Sequence, residues 1–380
     1  MTTPPSLANA IAAGFVAIFD SHSRSCIATT DYLYSLYVFD RRRMTGLRVD
    51  LLAGVRVAEV SCSLRGAFAG KCFHGLGAAV TRVDLGLRRR GVPPSCDWGK
   101  TTTTSSQPAL PAALAGMDLV IEDLDDPVVV EAVASLADPP VLVSVTGLGR
   151  DQGVPNPPEL VVQAHSGVLW STGAPGGSPS PVPAGLPSTL AAVHAASAGL
   201  WCLWQRATKP ADQAPRHVDV SEADLVLAQT GTYRIFLRYY GGSWTEQSRP
   251  GGRGIGSTLM LGEIVDAADG PIYLQIANQR QLCRLHKLLG SEFADRFPTY
   301  RECLIARDGY RRYLERFAAG RTRAELLELS MTGDLVAAPF LSFDDLGPDG
   351  LLPLIMPGAD EAGGALPLPW LIEIPEVASR

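Results

Sequence analysis

The stretch GVRVAEVSCSLRGAFAGKCFHGLGAAVTRVD (54–84) decides the fold. It opens with GVRVAEVS, a β-branched run bounded by Gly and Ser, and it closes with a second short apolar run, AVTRVD. The segment between the two runs is rich in small residues with helical spacing. This pattern predicts a β-α-β unit, in which a helix joins two parallel strands.

The pattern continues along the chain. Two buried-strand candidates, MDLVIED (117–123) and PPVLVSVTG (139–147), flank the helix-like PVVVEAVASLA (127–137). A long helix is predicted at LAAVHAASAGLWCLWQRA (190–207), followed by a strand that turns into a helix at RHVDVSEADLVLAQ (216–229). Alternating strands and helices predict an α/β fold with a Rossmann-like, doubly wound parallel sheet.

A second, smaller α+β domain is predicted from the later sequence. The segment DGPIYLQIANQRQLCRLHKLLG (269–290) reads as a strand and a helix, with Asn278 as N-cap and Gly290 as C-terminal stop. TRAE (322–325) is a capping-box pattern. The predicted organisation is an N-terminal extension of doubtful structure (1–43), a Rossmann-like domain (44–235), a small domain (236–345) and a C-terminal segment that returns over the large domain (346–380).

Composition excludes several classes of protein. The 380 residues are 46% hydrophobic and 19% charged, which predicts a folded chain, and the net charge of -6 leaves no basic stripe for a nucleic acid. No continuous apolar run approaches the roughly 18 residues that span a bilayer. Seven scattered cysteines without C-x-x-C spacing predict reduced thiols in a cytoplasm, and neither cysteine nor histidine spacing predicts a metal site.

Three motifs each have two readings. The loop SCSLRGAFAG (61–70) could bind phosphate through backbone amides, or Gly66 and Gly70 could serve close helix–sheet packing. The acidic EDLDDP (122–127) could hold a metal, but a solvated strand-to-helix turn is the favoured reading. The uncharged STGAPGGSPSPVPAGLPSTL (171–190) is either a linker or a loop shaped around a ligand.

Taken together, the ordered segments resemble family III CoA-transferases, the CaiB/BaiF family that includes α-methylacyl-CoA racemases. The segments that carry the resemblance include GVRVAEVS (54–61), DLVIED (118–123), VSVTGLG (143–149), PPELVVQAHSGVLWSTG (157–173), RHVDVSEADLVLAQ (216–229) and AAPFLSFDDL (337–346). The resemblance implies a Rossmann-like domain with a small domain, two subunits interlocked like rings, and a CoA ester bound between domains. Residues 1–43 precede the usual start of the family.

The resemblance also assigns the expected catalytic positions. Family transferases form an acyl anhydride on a loop aspartate, and that place is taken here by Gly176, or by Gly177 if the alignment shifts by one. The run at 171–190 therefore matches a ligand loop. The histidine of the racemases corresponds to Pro158, the acid beside it to Glu159, and their helix-starting aspartate to Ser188. Glu159 is either a base or nucleophile or a structural carboxylate.

The expected CoA contacts depart from the family pattern. Lys100 matches a family lysine, whereas Thr101 and Asp125 stand where arginines are common. The predicted CoA-binding residues are Ser63, Leu64, Arg65, Arg82 and Lys100. The resemblance implies an acyl-CoA ligand and transfer of CoA between carboxylic acids if the protein is active. The alternatives are a non-catalytic subunit that pairs with an active paralogue, as a heterodimer instead of a homodimer, and an acyl-CoA racemase or isomerase.

Overall fold

The computed structural model describes residues 51–152, 154–173, 178–210, 213–230, 261–331 and 335–340. The described residues within 51–168 and 182–230 form one compact unit, and those within 169–181 and 261–340 form a second. The predicted segments 1–43 and 346–380 and the predicted boundaries at 235 and 345 lie outside the described residues, so the proposed domain limits stay predictions.

The first unit is built on a six-stranded sheet. Its strands are β1 (Arg56–Val60), β2 (Ala79–Asp84), β3 (Thr101–Thr104), β4 (Leu119–Glu122), β5 (Val141–Thr146) and β6 (His217–Ser221). They lie in the order β3-β2-β1-β4-β5-β6, and every pairing is parallel. The predicted α/β class is confirmed. The sequence did not predict β3, because its four threonines are all exposed and show no apolar pattern.

Helices connect these strands and carry the core. They are α1 (Leu64–Gly75), α2 (Leu110–Leu114), α3 (Pro127–Ala134), α4 (Glu159–His165), α6 (Leu186–Thr208) and α7 (Glu222–Gln229), whereas the short α5 (Val168–Ser171) begins at the last residue before the segment 169–181 of the second unit. Helices α1 and α6 pack on each other and on the sheet, and small residues on α6 such as Ala192 and Ala195 are buried there. This close packing explains why the segment has so few large side chains.

Helix α6 also has a membrane-like composition. Among the described helices it alone is long and apolar enough to cross a bilayer, with 23 residues and a mean hydropathy of 1.2 over its most apolar window. Half of that window is buried inside the protein, as in a core helix. The apolar character of α6 is therefore explained by its packing between α1 and the sheet.

The second unit has a small antiparallel sheet in the order β7-β8-β9, formed by β7 (Leu261–Ala267), β8 (Gly270–Ile276) and β9 (Val336–Pro339). Its helices are α8 (Gln279–Leu289), α9 (Ser291–Arg296), α10 (Tyr300–Ile305), α11 (Arg307–Ala319) and α12 (Arg323–Met331). Asn278 caps α8 by accepting from the Gln281 amide at 3.0 Å, as predicted. The predicted capping box also forms, since the Thr322 and Glu325 side chains accept from each other's amides.

Two glycines let α1 approach the sheet closely. A Cβ added at Gly66 would lie 2.7 Å from Asp123 Oδ2, and one added at Gly70 would lie 2.1 Å from Glu59 Oε2. Both carboxylates are fully buried. The packing interpretation of these glycines is therefore correct, and the neighbours that require them are buried charges.

We expect Gly70→Ala to lower the free energy of unfolding by about 1–2 kcal/mol in urea titrations at neutral pH. Overpacking costs about 1–3 kcal/mol, which outweighs the roughly 1 kcal/mol that alanine gains in helix propensity. The control is Gly320→Ala, where φ is -91° and no atom lies within 4 Å of the new Cβ. Equal stability of both variants would contradict a fixed position for the Glu59 carboxylate.

Candidate functional site

The strand order of the six-stranded sheet indicates where a ligand would bind. The chain leaves β1 toward β2 on one side, whereas β4 lies on the other side of β1. In open parallel sheets, ligands bind outside the carboxyl ends of the strands at such a switch point. We call this side of the sheet, where the loops after β1, β4 and β5 lie, the carboxyl edge.

Asp123, which follows β4, fills the N-terminal end of α1. One carboxylate oxygen accepts from the Cys62 amide at 2.7 Å, and the other accepts from the amides of Ser63 and Gly66 at 3.0 and 3.1 Å. The Ser63 hydroxyl donates to the same oxygen at 2.5 Å. The protein's own carboxylate thus occupies the position that the sequence predicted for a phosphate. A phosphate bound to these amides would have to displace a fully buried aspartate.

Arg65 also forms ion pairs and hydrogen bonds with side chains of the protein. Its guanidinium is 3% exposed and lies 2.8 Å from Glu222 Oε2 and 4.0 Å from Asp125 Oδ2. It also donates to Asn156 Oδ1 at 2.6 Å. The predicted CoA-binding arginine therefore ties α1 to α7 and to the loops after β4 and β5.

The acidic segment EDLDDP is largely buried, so the prediction of a solvated turn was wrong. Glu122 is fully buried and pairs with Arg150 at 2.6 Å. Burial raises the pKa of Glu122 and that of Asp125, against the opposing effect of nearby donors and arginines. Asp126 does behave as predicted: it is exposed and caps α3 through the Val128 amide. No group of three or more His, Cys, Asp or Glu in the described part of the chain is arranged to hold a metal ion.

The predicted cations Lys100 and Arg82 also form internal ion pairs. The Lys100 ammonium is fully buried between Glu59, with which it pairs, and the Ala67 carbonyl at 2.8 Å. Burial raises the pKa of Glu59, and Lys100 is the main opposing influence. Arg82 lies 3.4 Å from Asp84 and 3.6 Å from Asp97. Neither cation is free for a ligand phosphate in this arrangement.

The structure brings together Glu159 and Ser188, which the sequence placed in the site by resemblance alone. Ser188 Oγ, in the first turn of α6, lies 2.9 Å from Glu159 Oε2. Both oxygens of Glu159 accept from the Gly185 amide, at 2.9 and 3.0 Å. The Leu64 side chain approaches this turn, with Cδ2 3.0 Å from the position of a Cβ on Gly185. Glu159 thus holds the N-terminal turn of α6.

Sequence reasoning missed Glu222. This residue is 1% exposed, and its Oε1 lies 3.0 Å from Ser188 Oγ. Burial is the largest influence on the pKa of Glu222 and raises it, while Arg65 and the Ser188 hydrogen bond lower it. In the sequence Glu222 looks like an ordinary acid in the first turn of a helix, so no local signal distinguishes it.

Gly176 and Gly177, the positions of the family's nucleophile, lie outside the described residues. The absence of a nucleophile there rests on the sequence alone. An open pocket of about 580 Å³ lies beside the loop after β5 and is lined by residues 148–152 of that loop together with residues of α6, β6 and α7, such as His194, Asp219 and Asp224. It contains none of the predicted site residues.

We expect Asp123→Asn to lower the free energy of unfolding by at least about 2 kcal/mol. The side-chain nitrogen of asparagine is a donor, so it would face backbone N–H groups that now donate to the Asp123 carboxylate. Asp126→Asn is the matched control in the same turn, since asparagine caps a helix about as well as aspartate. Chemical denaturation of both variants tests this. Equal stability would show that Asp123 is not essential to the turn.

Comparisons with known proteins agree with this architecture. Residues 130–350 match the family model of CoA-transferase family III. A CAIB/BAIF family protein from Brucella suis has a TM-score of 0.62 at 21% identity, covering 78% of this chain and 86% of that one. Two crystal structures of Rv3272 from Mycobacterium tuberculosis give TM-scores of 0.63 and 0.62 at 19% identity, covering 78% and 79% of this chain and 85% and 86% of theirs. At these low identities the TM-scores establish a likeness of fold alone. No curated protein matches in sequence. Because the family model spans more than half of the chain, this chain belongs to CoA-transferase family III.

Proposed function

We propose that the chain is a CoA-thioester-binding protein and that an acyl-CoA is its ligand. The family match supports this ligand class. The contact that carries the proposal is the 2.9 Å hydrogen bond between Ser188 and Glu159, which are 29 residues apart in sequence. Ser188 matches the helix-starting aspartate of the related racemases, and Glu159 matches the acid beside their histidine, whose own position is taken here by Pro158. The contact therefore joins two positions of the family's site.

The structure changes which cations are proposed for the CoA phosphates. Arg65, Arg82 and Lys100 are held by carboxylates, so we assign this role to Arg88, Arg90 and Lys71 instead. The Arg90 amide donates to the Cys62 carbonyl at 2.9 Å, which places Arg90 beside the loop after β1 at the carboxyl edge. Arg88 and Arg90 are exposed, and no carboxylate in the described residues pairs with either. Lys71 contacts the Trp98 carbonyl at 3.2 Å.

Ordinary CoA transfer is not expected of this site. The reaction needs a carboxylate nucleophile that carries the acyl group and then CoA. Gly176 and Gly177 cannot supply one. The Glu159 oxygens are engaged by Gly185, Ser188 and, at 3.3 Å, by Gln163. A carboxylate whose lone pairs are occupied in this way is a poor nucleophile, which favours a binding subunit beside an active paralogue.

One observation favours a second candidate, an acyl-CoA isomerase. Proton exchange at the α-carbon of a thioester needs acid–base groups rather than a covalent carrier. The cluster of Glu159, Ser188 and Glu222 supplies two carboxylates joined by a hydroxyl.

We also propose a dimer, formed with a second copy or with a paralogue, and a cytoplasmic location. The interlocked assembly implied by the family resemblance supports the dimer. The cysteines of the described residues are all free, which fits a reducing compartment.

We expect calorimetric titration to detect binding of acetyl-CoA, and Arg90→Ala to weaken it about tenfold, the effect of losing one charge-assisted contact of about 1.5 kcal/mol. Arg56→Ala is the control, because Arg56 starts β1 at the opposite end of the strand. Normal affinity in Arg90→Ala would contradict the phosphate assignment. No binding of any CoA ester at millimolar concentration would contradict the proposed function.

Mass spectrometry after incubation with a panel of acyl-CoA esters should find no CoA adduct on the protein, because positions 176 and 177 are glycines and the Glu159 carboxylate is engaged by Gly185 and Ser188. An adduct on Glu159 that disappears in Glu159→Gln and persists in the surface variant Glu131→Gln would instead show a glutamate-dependent transferase.

A further inference from the structure

The Ser188 hydroxyl lies between two glutamates from different helices. Its oxygen is 2.9 Å from Glu159 Oε2 and 3.0 Å from Glu222 Oε1. Both distances are hydrogen-bond distances for oxygen pairs. A hydroxyl has a single proton, and an ionised carboxylate can only accept. Ser188 can therefore donate to one of the two glutamates, and the other contact needs a proton from the second glutamate.

The surroundings indicate which glutamate carries this extra proton. Glu159 has further donors, because the Gly185 amide reaches both of its oxygens and the Gln163 amide reaches Oε1. Because these groups all donate to Glu159, we assign Glu159 as the acceptor of the Ser188 proton as well. Glu222 faces Arg65 on α1, Ser188 on α6 and the charge of Glu159 on α4. Arg65 is itself shared with Asn156 and Asp125, so Glu222 is not its sole partner.

We propose that Glu222 stores a proton for Glu159 and that Ser188 relays it. In the resting arrangement Glu222 Oε1 donates to Ser188 Oγ, and Ser188 donates to Glu159 Oε2. In the relay step the Oε1–H bond of Glu222 breaks as its proton joins Ser188 Oγ, while the original Ser188 proton moves to Glu159. One proton is transferred, and the negative charge moves from Glu159 to Glu222, where Arg65 lies 2.8 Å away.

This relay deepens the proposed function, because Glu159 and Ser188 are the residues assigned to the CoA-ester site. It would supply Glu159 with one proton from the interior without bulk water, and a proton that Glu159 takes from a ligand could return to Glu222 by the same path. The ligand chemistry that fits is a thioester that exchanges a proton at the carbon next to its carbonyl. Glu222 itself is a positioning residue, since it acts through Ser188.

The test is a pH titration of the full-length protein labelled with ¹³C at the glutamate carboxyl carbons, followed by NMR without any CoA ester. Glu222→Gln identifies the Glu222 signal by its loss. This variant is also a mimic of protonated Glu222, because its amide can donate to Ser188 while its oxygen accepts from Arg65. Glu159→Gln and Ser188→Ala test the coupling, and Glu131→Gln on the surface of α3 is the control.

We expect the Glu222 signal to titrate above the ordinary glutamate range, because burial raises its pKa. Glu159→Gln should lower that midpoint by about one unit or more, since it removes the neighbouring charge and frees Ser188 to donate to Glu222. Glu131→Gln should leave it unchanged. Ser188→Ala should lower the Glu222 midpoint as well, since protonated Glu222 then loses the hydroxyl that accepts its proton.

An ordinary midpoint for Glu222, or a raised midpoint that ignores Glu159→Gln, would overturn the relay. Because no ligand is present, this result is independent of whether the protein binds acyl-CoA. If Glu222→Gln does not fold, Glu222→Asp removes the same labelled signal while keeping a carboxylate near Arg65, and the Glu159→Gln titration then decides the proposal.

Discussion

The carboxylate of Asp123 fixes the centre of the first unit. It lies beyond the end of β4 and accepts hydrogen bonds from the loop after β1 and the first turn of α1. A buried carboxylate without such donors would be very costly, so this group forces the two segments together. Gly66 has no room for a side chain for the same reason. The anion position at the start of α1 is consequently filled by the protein itself.

Other buried carboxylates around the sheet are also satisfied by groups of the protein itself. Glu59 is paired with Lys100 and Glu122 with Arg150, and both carboxylates are fully buried. Removing one partner from such a pair typically costs about 3–5 kcal/mol, because the other charge stays buried. Cations that the sequence assigns to a ligand are therefore part of the framework. We propose the exposed Arg88 and Arg90 as the contacts for an anionic ligand instead.

Much of the fold could be predicted from the sequence, because the buried faces of helices and strands require apolar residues at regular spacings. The β1–α1–β2 unit, β4, β5 and the long α6 were recognised from apolar patterns, and Asn278 was recognised as a cap from a local signal. β3 could not be recognised in this way, because an exposed edge strand of threonines carries no such pattern. The sheet order follows from contacts that no local pattern encodes.

The candidate site was less predictable because its partners are distant in sequence. Arg65 and Glu222 are 157 residues apart, and Lys100 and Glu59 are 41 apart. The sequence around a lysine or arginine does not show whether a carboxylate will pair with it in the folded protein. Glu159 and Ser188 were found only through family resemblance, and Glu222 was missed, since its role depends on where Ser188 points.

The central claim is that an acyl-CoA binds at the carboxyl edge while the buried carboxylates stay in place. A crystal structure of the protein with acetyl-CoA tests it most directly. The account predicts the thioester beside Glu159 and Ser188, phosphates near Arg88 and Arg90, and Asp123 still hydrogen-bonded to the start of α1. A phosphate in place of the Asp123 carboxylate, or CoA bound away from Glu159, would contradict it.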